Sequence, residues 1–172
     1  MSSVIKVDAI QNQSGTSAIT IDSSGAVLKP AMPAWRIGRG SSIAGVNQST
    51  TVINYNVTDN ADRDLFVQGG VSVSSGIVTI PRTGIYHVGT SNRFNDVGSG
   101  YIVVRIHKNS DADSTFGTYD IVGQPSSNYE TIGDNTIYKL TVNDTVKVDY
   151  YISNDSSFTI DVRSYFWGYL VG

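Results

Sequence analysis

The stretch from Ser75 to Val88, SGIVTIPRTGIYHV, most limits what this chain can fold into. Residues 77–80 are mostly β-branched, which favours β-strands. Pro81 has no N–H for a sheet ladder, and Gly84 tolerates turn geometry that other residues resist. The stretch therefore predicts a β-hairpin, with two strands joined by a tight turn, and an all-β fold.

Similar short, alternating segments recur along the rest of the chain. They lie at Ala34–Gly38, Thr51–Val57, Tyr101–His107, Thr118–Gly123, Thr136–Val142 and Thr145–Ile152. We expect the last two to form a second hairpin across Asn143 and Asp144. No window shows a helical repeat of useful length, so about eight to ten short strands predict a β-sandwich or jelly roll.

The N-terminal residues differ from the rest, which divides the chain into two predicted parts. Residues 1–33 form an anchoring arm and linker, and residues 34–172 form the jelly-roll domain. Pro30 and Pro33 mark the boundary, because prolines stiffen a linker and end strand pairing. An isolated hairpin is marginal in water, so we expect the arm to pack against other subunits or another protein. Its apolar residues are Val4, Ile5, Val7, Ile10, Ile19, Ile21 and Val27.

The last predicted strand, from Phe158 to Val171, becomes apolar on both faces after Ser164. Its outward residues there are Tyr165, Trp167 and Tyr169, and a strand that is apolar on both faces is normally buried on both. In a two-layer sandwich, another chain would have to cover the outward face. With Tyr151 these three aromatics form a predicted interface between subunits of an oligomer; the alternative is that the protein's own loops cover them.

Composition argues against several function classes. The formal net charge is -3, 16% of the residues are charged, and Lys and Arg form no cluster, so we expect no nucleic-acid binding. The sequence contains no cysteine, hence no disulfide framework. No signal peptide and no segment able to span a bilayer is recognisable, so we expect no membrane insertion.

Catalytic and metal-binding patterns are weak. His87 and His107 lie in predicted strands without a recognisable nucleophile or metalloprotease motif, so we predict no enzymatic activity and no cofactor. Acidic residues occur close together in two turns, where carboxylates are the ligands that calcium prefers. These weak calcium candidates are Asp59, Asp62, Asp64, Asp111 and Asp113. Asp is common in turns in any case, so we predict no bound metal.

Aromatic residues in or beside two long polar loops, 109–117 and 123–135, are candidates for ligand binding. They are Phe116, Tyr119 and Tyr129. Loops on a rigid scaffold often carry binding function. The alternative is that these aromatics pack onto the end of the barrel.

Three motifs give residues 34–172 a family resemblance. Residues 69–86 resemble the G-x-F-x-x-P-x-x-G-x-Y motif of the C1q/TNF-like jelly-roll superfamily, residues 140–146 its L-x-x-G-D-x-V turn, and residues 164–171 its S-x-F-x-G-x-L strand. Asn143 stands where the family has Gly, and Asn also tolerates left-handed backbone geometry. The resemblance implies a ten-stranded jelly roll, a homotrimer with the C-terminal strand in the inner sheet, and a binding or structural module rather than an enzyme.

The arm resembles the N-terminal segments of virion structural proteins of tailed phages, through IQNQSGTSAITIDSSGAV. This resemblance implies a virion surface protein, made in the host cytoplasm, whose arm binds other virion proteins. The first expectation is a homotrimeric capsid decoration or cement protein. The alternative is the receptor-binding knob of a short tail or head fibre, which would recognise a glycan or protein on the host surface.

Overall fold

The computed structural model describes residues 7–15, 17–29, 31–46, 48–97, 100–109, 118–123, 129–153 and 158–172. The strands, in chain order, are β1 (Ala9–Gln11), β2 (Ser17–Ile21), β3 (Val27–Leu28), β4 (Ala34–Gly38), β5 (Ile43–Ala44), β6 (Thr51–Val52), β7 (Phe66–Gln68), β8 (Ser72–Ser74), β9 (Ile77–Thr79), β10 (Gly84–Asn95), β11 (Tyr101–Lys108), β12 (Thr118–Gly123), β13 (Tyr129–Leu140), β14 (Thr145–Ile152), β15 (Thr159–Ile160) and β16 (Tyr165–Leu170). A 3₁₀ helix spans Ala61–Arg63. Within these ranges, no helix has the length and hydrophobicity needed to cross a bilayer.

The strands form three antiparallel sheets. The arm sheet has the order β1-β2-β3. The β16 sheet has the order β5-β15-β10-β16-β4-β7, with β13 also paired along β10. The β14 sheet has the order β12-β11-β14-β9-β8, with β6 also paired to β14. The predicted all-β jelly-roll sandwich is confirmed.

The hydrophobic core lies between the β16 sheet and the β14 sheet. Phe94 of β10 meets Tyr150 of β14 with ring centroids 5.9 Å apart, and this contact joins the two layers. Within the β16 sheet, Trp35 packs edge-on against Phe166 at 5.8 Å. Alternate residues of each strand supply the core, as expected for sheets with one covered face. On β14, for example, Val146, Val148, Tyr150 and Ile152 are all buried.

The first predicted hairpin is wrong, although both of its strands exist. Strand β9 pairs with β8 and β14, whereas β10 pairs with β13, β15 and β16, so the two strands belong to different sheets. Residues 80–83 carry the chain from one layer to the other. Buried Ile80 binds the turn at 143–144 through backbone hydrogen bonds of 2.8 Å. A segment with Pro and Gly is suitable both for a crossing between sheets and for a hairpin turn. The residue types alone therefore do not distinguish the two kinds of connection.

The second predicted hairpin, across Asn143 and Asp144, is also a layer crossing. Strand β13 belongs to the β16 sheet and β14 to the β14 sheet. Asn143 has φ 69°, the left-handed geometry expected where the family motif has Gly. Burial alone would raise the pKa of Asp144, but hydrogen bonds from the Thr141 N–H, Asn109 and Lys108 lower it well below its ordinary value. The carboxylate therefore ties the crossing to the end of β11.

The C-terminal strand is interrupted but keeps the predicted alternation. Residues 161–164 form a turn between β15 and β16, where Ser164 Oγ accepts the Arg93 N–H at 3.1 Å. Phe158, Ile160, Phe166 and Leu170 are buried. Tyr165, Trp167 and Tyr169 occupy the alternate positions of β16, so they project from the outward face of the β16 sheet.

The arm sheet precedes the jelly roll as a separate sheet. Several of its predicted apolar residues are exposed, namely Val7, Ile10, Ile21 and Val27. Ile19 is partly buried. Val4 and Ile5 lie outside the described residues. A thin sheet with exposed apolar side chains agrees with the prediction that the arm packs against something else.

Candidate functional site

The outward face of the β16 sheet is the strongest candidate for a binding surface. On β16 it presents Tyr165, Trp167 and Tyr169, and in the strand register His87 of β10 lies opposite Tyr169. On the other side of β10, Ile137 of β13 lies opposite His87. We call these five residues the aromatic face. Three neighbouring strands therefore bring together side chains that are far apart in sequence.

Trp167 lies flat on the sheet because its cross-strand neighbour is a glycine. Gly89 is the register partner of Trp167, and a Cβ atom added at Gly89 would lie 2.1 Å from the indole ring. Because Gly89 has no side chain, the indole of Trp167 can lie over the backbone of β10. Trp167 and Tyr169 also stack, with centroids 6.4 Å apart and planes 18° apart. The two rings thus form a flat, rigid platform.

His87 packs against both of these rings and lies within hydrogen-bond distance of two side chains. Its ring meets Trp167 and Tyr169 edge-on, with centroid distances of 5.0 Å and 5.5 Å. Nδ1 lies 3.1 Å from the Tyr169 hydroxyl, and Nε2 lies 3.3 Å from Asn135 Oδ1. Both ring nitrogens of His87 therefore lie within hydrogen-bond distance of a neighbouring side chain. These contacts therefore hold the His87 ring within the aromatic face.

Two side chains of the aromatic face are strongly exposed in the single chain. Ile137 is 67% exposed and Tyr169 is 45% exposed, while Tyr165 and Trp167 are partly buried. Within the described residues, no loop covers these four side chains fully. Aromatic residues are enriched in the cores of protein interfaces. The geometry suits a flat contact with another protein surface.

One edge of the aromatic face carries positive charge. The guanidinium groups of Arg36 and Arg63 lie over the Tyr165 ring, at 4.8 Å and 5.3 Å from its centroid. Arg36 also lies 3.8 Å from the exposed carboxylate of Asp64. These cation–π contacts fix the Tyr165 ring and place a polar rim beside an apolar centre, as in typical interfaces.

Tyr151 does not belong to this surface. It lies on β14, in the other sheet, where its ring is 5.9 Å from that of Tyr101. The two sheets pack through the core, so the outward face of the β14 sheet is on the opposite side of the sandwich. The four residues predicted as one interface therefore divide into three on the aromatic face and one outside it.

Tyr129 is the candidate ligand-binding aromatic whose side chain the structure describes. It is 55% exposed, and the Arg93 guanidinium lies 4.1 Å from its ring centroid. This contact holds the ring at the start of β13, on the side of the sheet away from the core. Phe116 and the side chain of Tyr119 lie outside the described residues.

The described residues contain no group of three or more acidic, histidine or cysteine side chains that could hold a metal ion. Asp62 lies within the 3₁₀ helix and Asp64 caps its end with φ 52°, so the turn that contains Asp59, Asp62 and Asp64 does not gather its carboxylates around one point. Asp111 and Asp113 lie outside the described residues.

The second histidine, His107, belongs to a buried polar cluster on the β14 sheet. Its Nε2 lies 2.7 Å from Asp149 Oδ2, and Arg105 Nε donates to Asp149 Oδ1 at 2.8 Å. His107 and Asp149 are each 3% exposed. The three side chains therefore link β11 to β14 beneath the surface, which is a structural role. His87 and His107 lie on different sheets and do not form one site.

Two members of the aromatic face, His87 and Ile137, were missing from the interface predicted from sequence. The signal for Ile137 was available, because the alternation of β13 buries Ile132 and Leu140 and leaves Ile137 on the other face. From sequence, His87 is considered only as a candidate catalytic residue. Its role depends on β16 pairing beside it, which no local pattern reveals.

The comparisons with known proteins show the fold. No family model matches the chain, and no curated protein matches it either. Among solved structures, the chain is similar to the globular domain of zebrafish complement C1qA, with a TM-score of 0.56 and 13% identity over 81% of this chain and 98% of that one. It is also similar to murine APRIL, with a TM-score of 0.59 and 14% identity over 81% of this chain and 99% of that one. The predicted C1q/TNF-like fold is confirmed.

Proposed function

We propose that this protein is a homotrimeric structural component of a phage virion, attached through its N-terminal arm as a capsid decoration or cement protein. Its place would be the virion surface. The observation that supports a trimer is the exposed aromatic face on a C1q/TNF-like fold. A second and third copy of the chain are the partners that would cover it in a threefold arrangement.

Two features support an attached, structural role over an enzymatic one. The flat aromatic face, fixed by stacking and by Gly89, suits a permanent contact with another protein. The arm sheet leaves apolar side chains exposed, as expected of a segment that is buried only after assembly. The choice of a phage particle rests on the resemblance of the arm sequence to N-terminal segments of tailed-phage virion proteins.

The first test is the oligomeric state of the purified full-length protein by analytical ultracentrifugation. We expect a stable trimer, and a stable monomer would overturn the proposal. Replacing Trp167 with Asp should break the assembly, because it would place an unpaired charge in a dry interface. If the Trp167→Asp variant folded and remained trimeric, the aromatic face would not be the interface.

The second test is the copy number per virion, measured by quantitative mass spectrometry against the major capsid protein. A count on the scale of the capsid lattice is the expected result for a decoration or cement protein. Absence from virions would refute the proposed location.

A receptor-binding knob is the alternative, and the exposure of Tyr129 favours it. A ring held by Arg93 and exposed at the margin of the domain is a suitable contact for a sugar or a protein of the host surface. A copy number matching a few tail or head fibres would support this alternative. Loss of adsorption to host cells in a Tyr129→Ala virion, with normal particle assembly, would then establish the contact.

A further inference from the structure

The arm sheet carries an apolar stripe on one of its faces. Ile10 lies opposite Ile19 in the register, and Ile21 lies opposite Val27. Ile19 and Ile21 are two residues apart on β2, so the four side chains share one face. We call these four residues the arm stripe. On the opposite face, Thr20 lies between Ala9 and Leu28 in the register.

The arm stripe is largely uncovered within a single chain. Ile10 is 52% exposed, Ile21 is 36% exposed and Val27 is 59% exposed. A small sheet is not stable in water unless its apolar face packs against something. The four members are all uncharged and β-branched. A partner can therefore recognise the arm stripe by its shape and hydrophobicity but not by charge. A surface of this kind is complementary to a copy of itself.

The arm leaves the jelly roll beside the aromatic face. The Leu170 N–H donates to the Pro33 carbonyl at 2.9 Å, and Ala34 lies opposite Tyr169 in the register of β4 and β16. Leu28, the last residue of the arm sheet, precedes Ala34 by only six residues, which span about 20 Å at most. If three copies associate through the aromatic face, their three arms begin next to that contact and cannot move far apart.

We infer that the arm stripe packs against the arm stripes of the two other copies, so that the three arm sheets form one stem with an apolar interior. This inference rests on the proposed homotrimer and adds a second contact to it. The stem would leave the Ala9 and Thr20 faces of the three sheets on its outside. Those outer faces, rather than the arm stripe, would then be available to the virion protein that holds the trimer.

Engineered cysteines can test the stem, because the natural sequence contains none. Ile21→Cys places a thiol on the arm stripe, and Thr20→Cys, one residue earlier, places a thiol on the opposite face of the same strand. Both variants are made in the full-length chain and oxidised mildly at several dilutions. We expect Ile21→Cys to give covalent dimers, in a yield that does not fall on dilution, and Thr20→Cys to stay monomeric on a denaturing gel. We also expect the thiol of reduced Ile21→Cys to be protected from maleimide labelling.

The outcomes separate this inference from the proposed function. A monomer in sedimentation of the natural protein would refute the trimer itself. Trimeric variants in which Ile21→Cys neither cross-links nor resists maleimide would refute the stem and leave the trimer intact. Equal cross-linking by both variants would also refute it, since the arms would then be close without a preferred face. Protection of Ile21→Cys that arises only in virions would mean that another virion protein covers the arm stripe, contrary to the inference.

Discussion

Ile137 allows the aromatic face to be tested with little effect on the fold. Its side chain is 67% exposed in the single chain, so Ile137→Asp removes few intramolecular contacts. Exposed substitutions of this kind usually change the free energy of unfolding by less than about 0.5 kcal/mol. Trp167 is less suitable, because it packs over Gly89 and beside His87. An effect of Ile137→Asp on assembly is therefore not confounded by a large change in the free energy of unfolding.

The expected effect on assembly follows from the exposed fraction. Complete burial of an isoleucine contributes about 1.5–3 kcal/mol, so burial of the exposed 67% contributes about 1–2 kcal/mol per copy. Three copies give about 3–6 kcal/mol for each trimer. Each 1.4 kcal/mol corresponds to a tenfold change in an equilibrium constant, so trimer dissociation should become easier by roughly 10²–10⁴-fold. Burial of the new carboxylate would add to this loss.

Sedimentation velocity over a dilution series measures the shift, and a urea titration of each variant measures the fold. Tyr101→Asp is the matched control, because Tyr101 is 43% exposed and lies on the outward face of the β14 sheet next to Tyr151. We expect Ile137→Asp to dissociate and Tyr101→Asp to remain trimeric. The reverse result would place the interface on the β14 sheet, with Tyr151, and would refute the argument from the aromatic face.

Three further predictions concern the fold. Tyr55→Phe removes a hydroxyl that donates to buried Asn92 at 2.6 Å, so urea denaturation should show a loss of about 1–3 kcal/mol; an unchanged midpoint would contradict this. Gly89→Ala should cost about 1–3 kcal/mol and change the Trp167 fluorescence, because the added methyl overlaps the indole; identical spectra would argue against the flat packing. The pKa of Asp144 is lowered in the folded state, so its contribution to stability is present above its ordinary 3.8 and lost as the pH falls through the lower folded value. Denaturation across acidic pH should therefore show a smaller acid-induced loss in Asp144→Asn than in the natural protein, and equal losses would rule out this role.

The C-terminal strand shows what could be predicted from sequence. Its side chains alternate between faces with a period of two, and this period depends only on the strand backbone. The outward positions of Tyr165, Trp167 and Tyr169 follow from that rule and are confirmed. The left-handed turn at Asn143 was predictable for a similar reason, since few residue types tolerate that geometry. Local rules thus predicted many of the strands, the faces of the C-terminal strand and one unusual turn. They were wrong for residues 129–135, which were expected in a loop and instead form the first part of β13.

The connections between strands could not be predicted in the same way. Segments 80–83 and 141–144 contain typical turn residues, and both were expected to close hairpins. A layer crossing also ends one strand, reverses the chain and starts another, so it selects the same residue types. The difference lies in the partners of each strand, such as β14 for β9 and β16 for β10. Those partners are distant in sequence, and no local pattern specifies them.

The composition of the aromatic face depends on this long-range pairing. Strand β10 supplies His87 because β16 pairs along one side of it, and β13 supplies Ile137 because it pairs along the other. If β9 and β10 had formed the expected hairpin, β9 would have occupied one of those two positions. His87 would then have lost either Tyr169 or Ile137 as its neighbour. The surface proposed to hold the trimer therefore depends on the chain crossing between layers at residues 80–83, where the sequence suggested a hairpin.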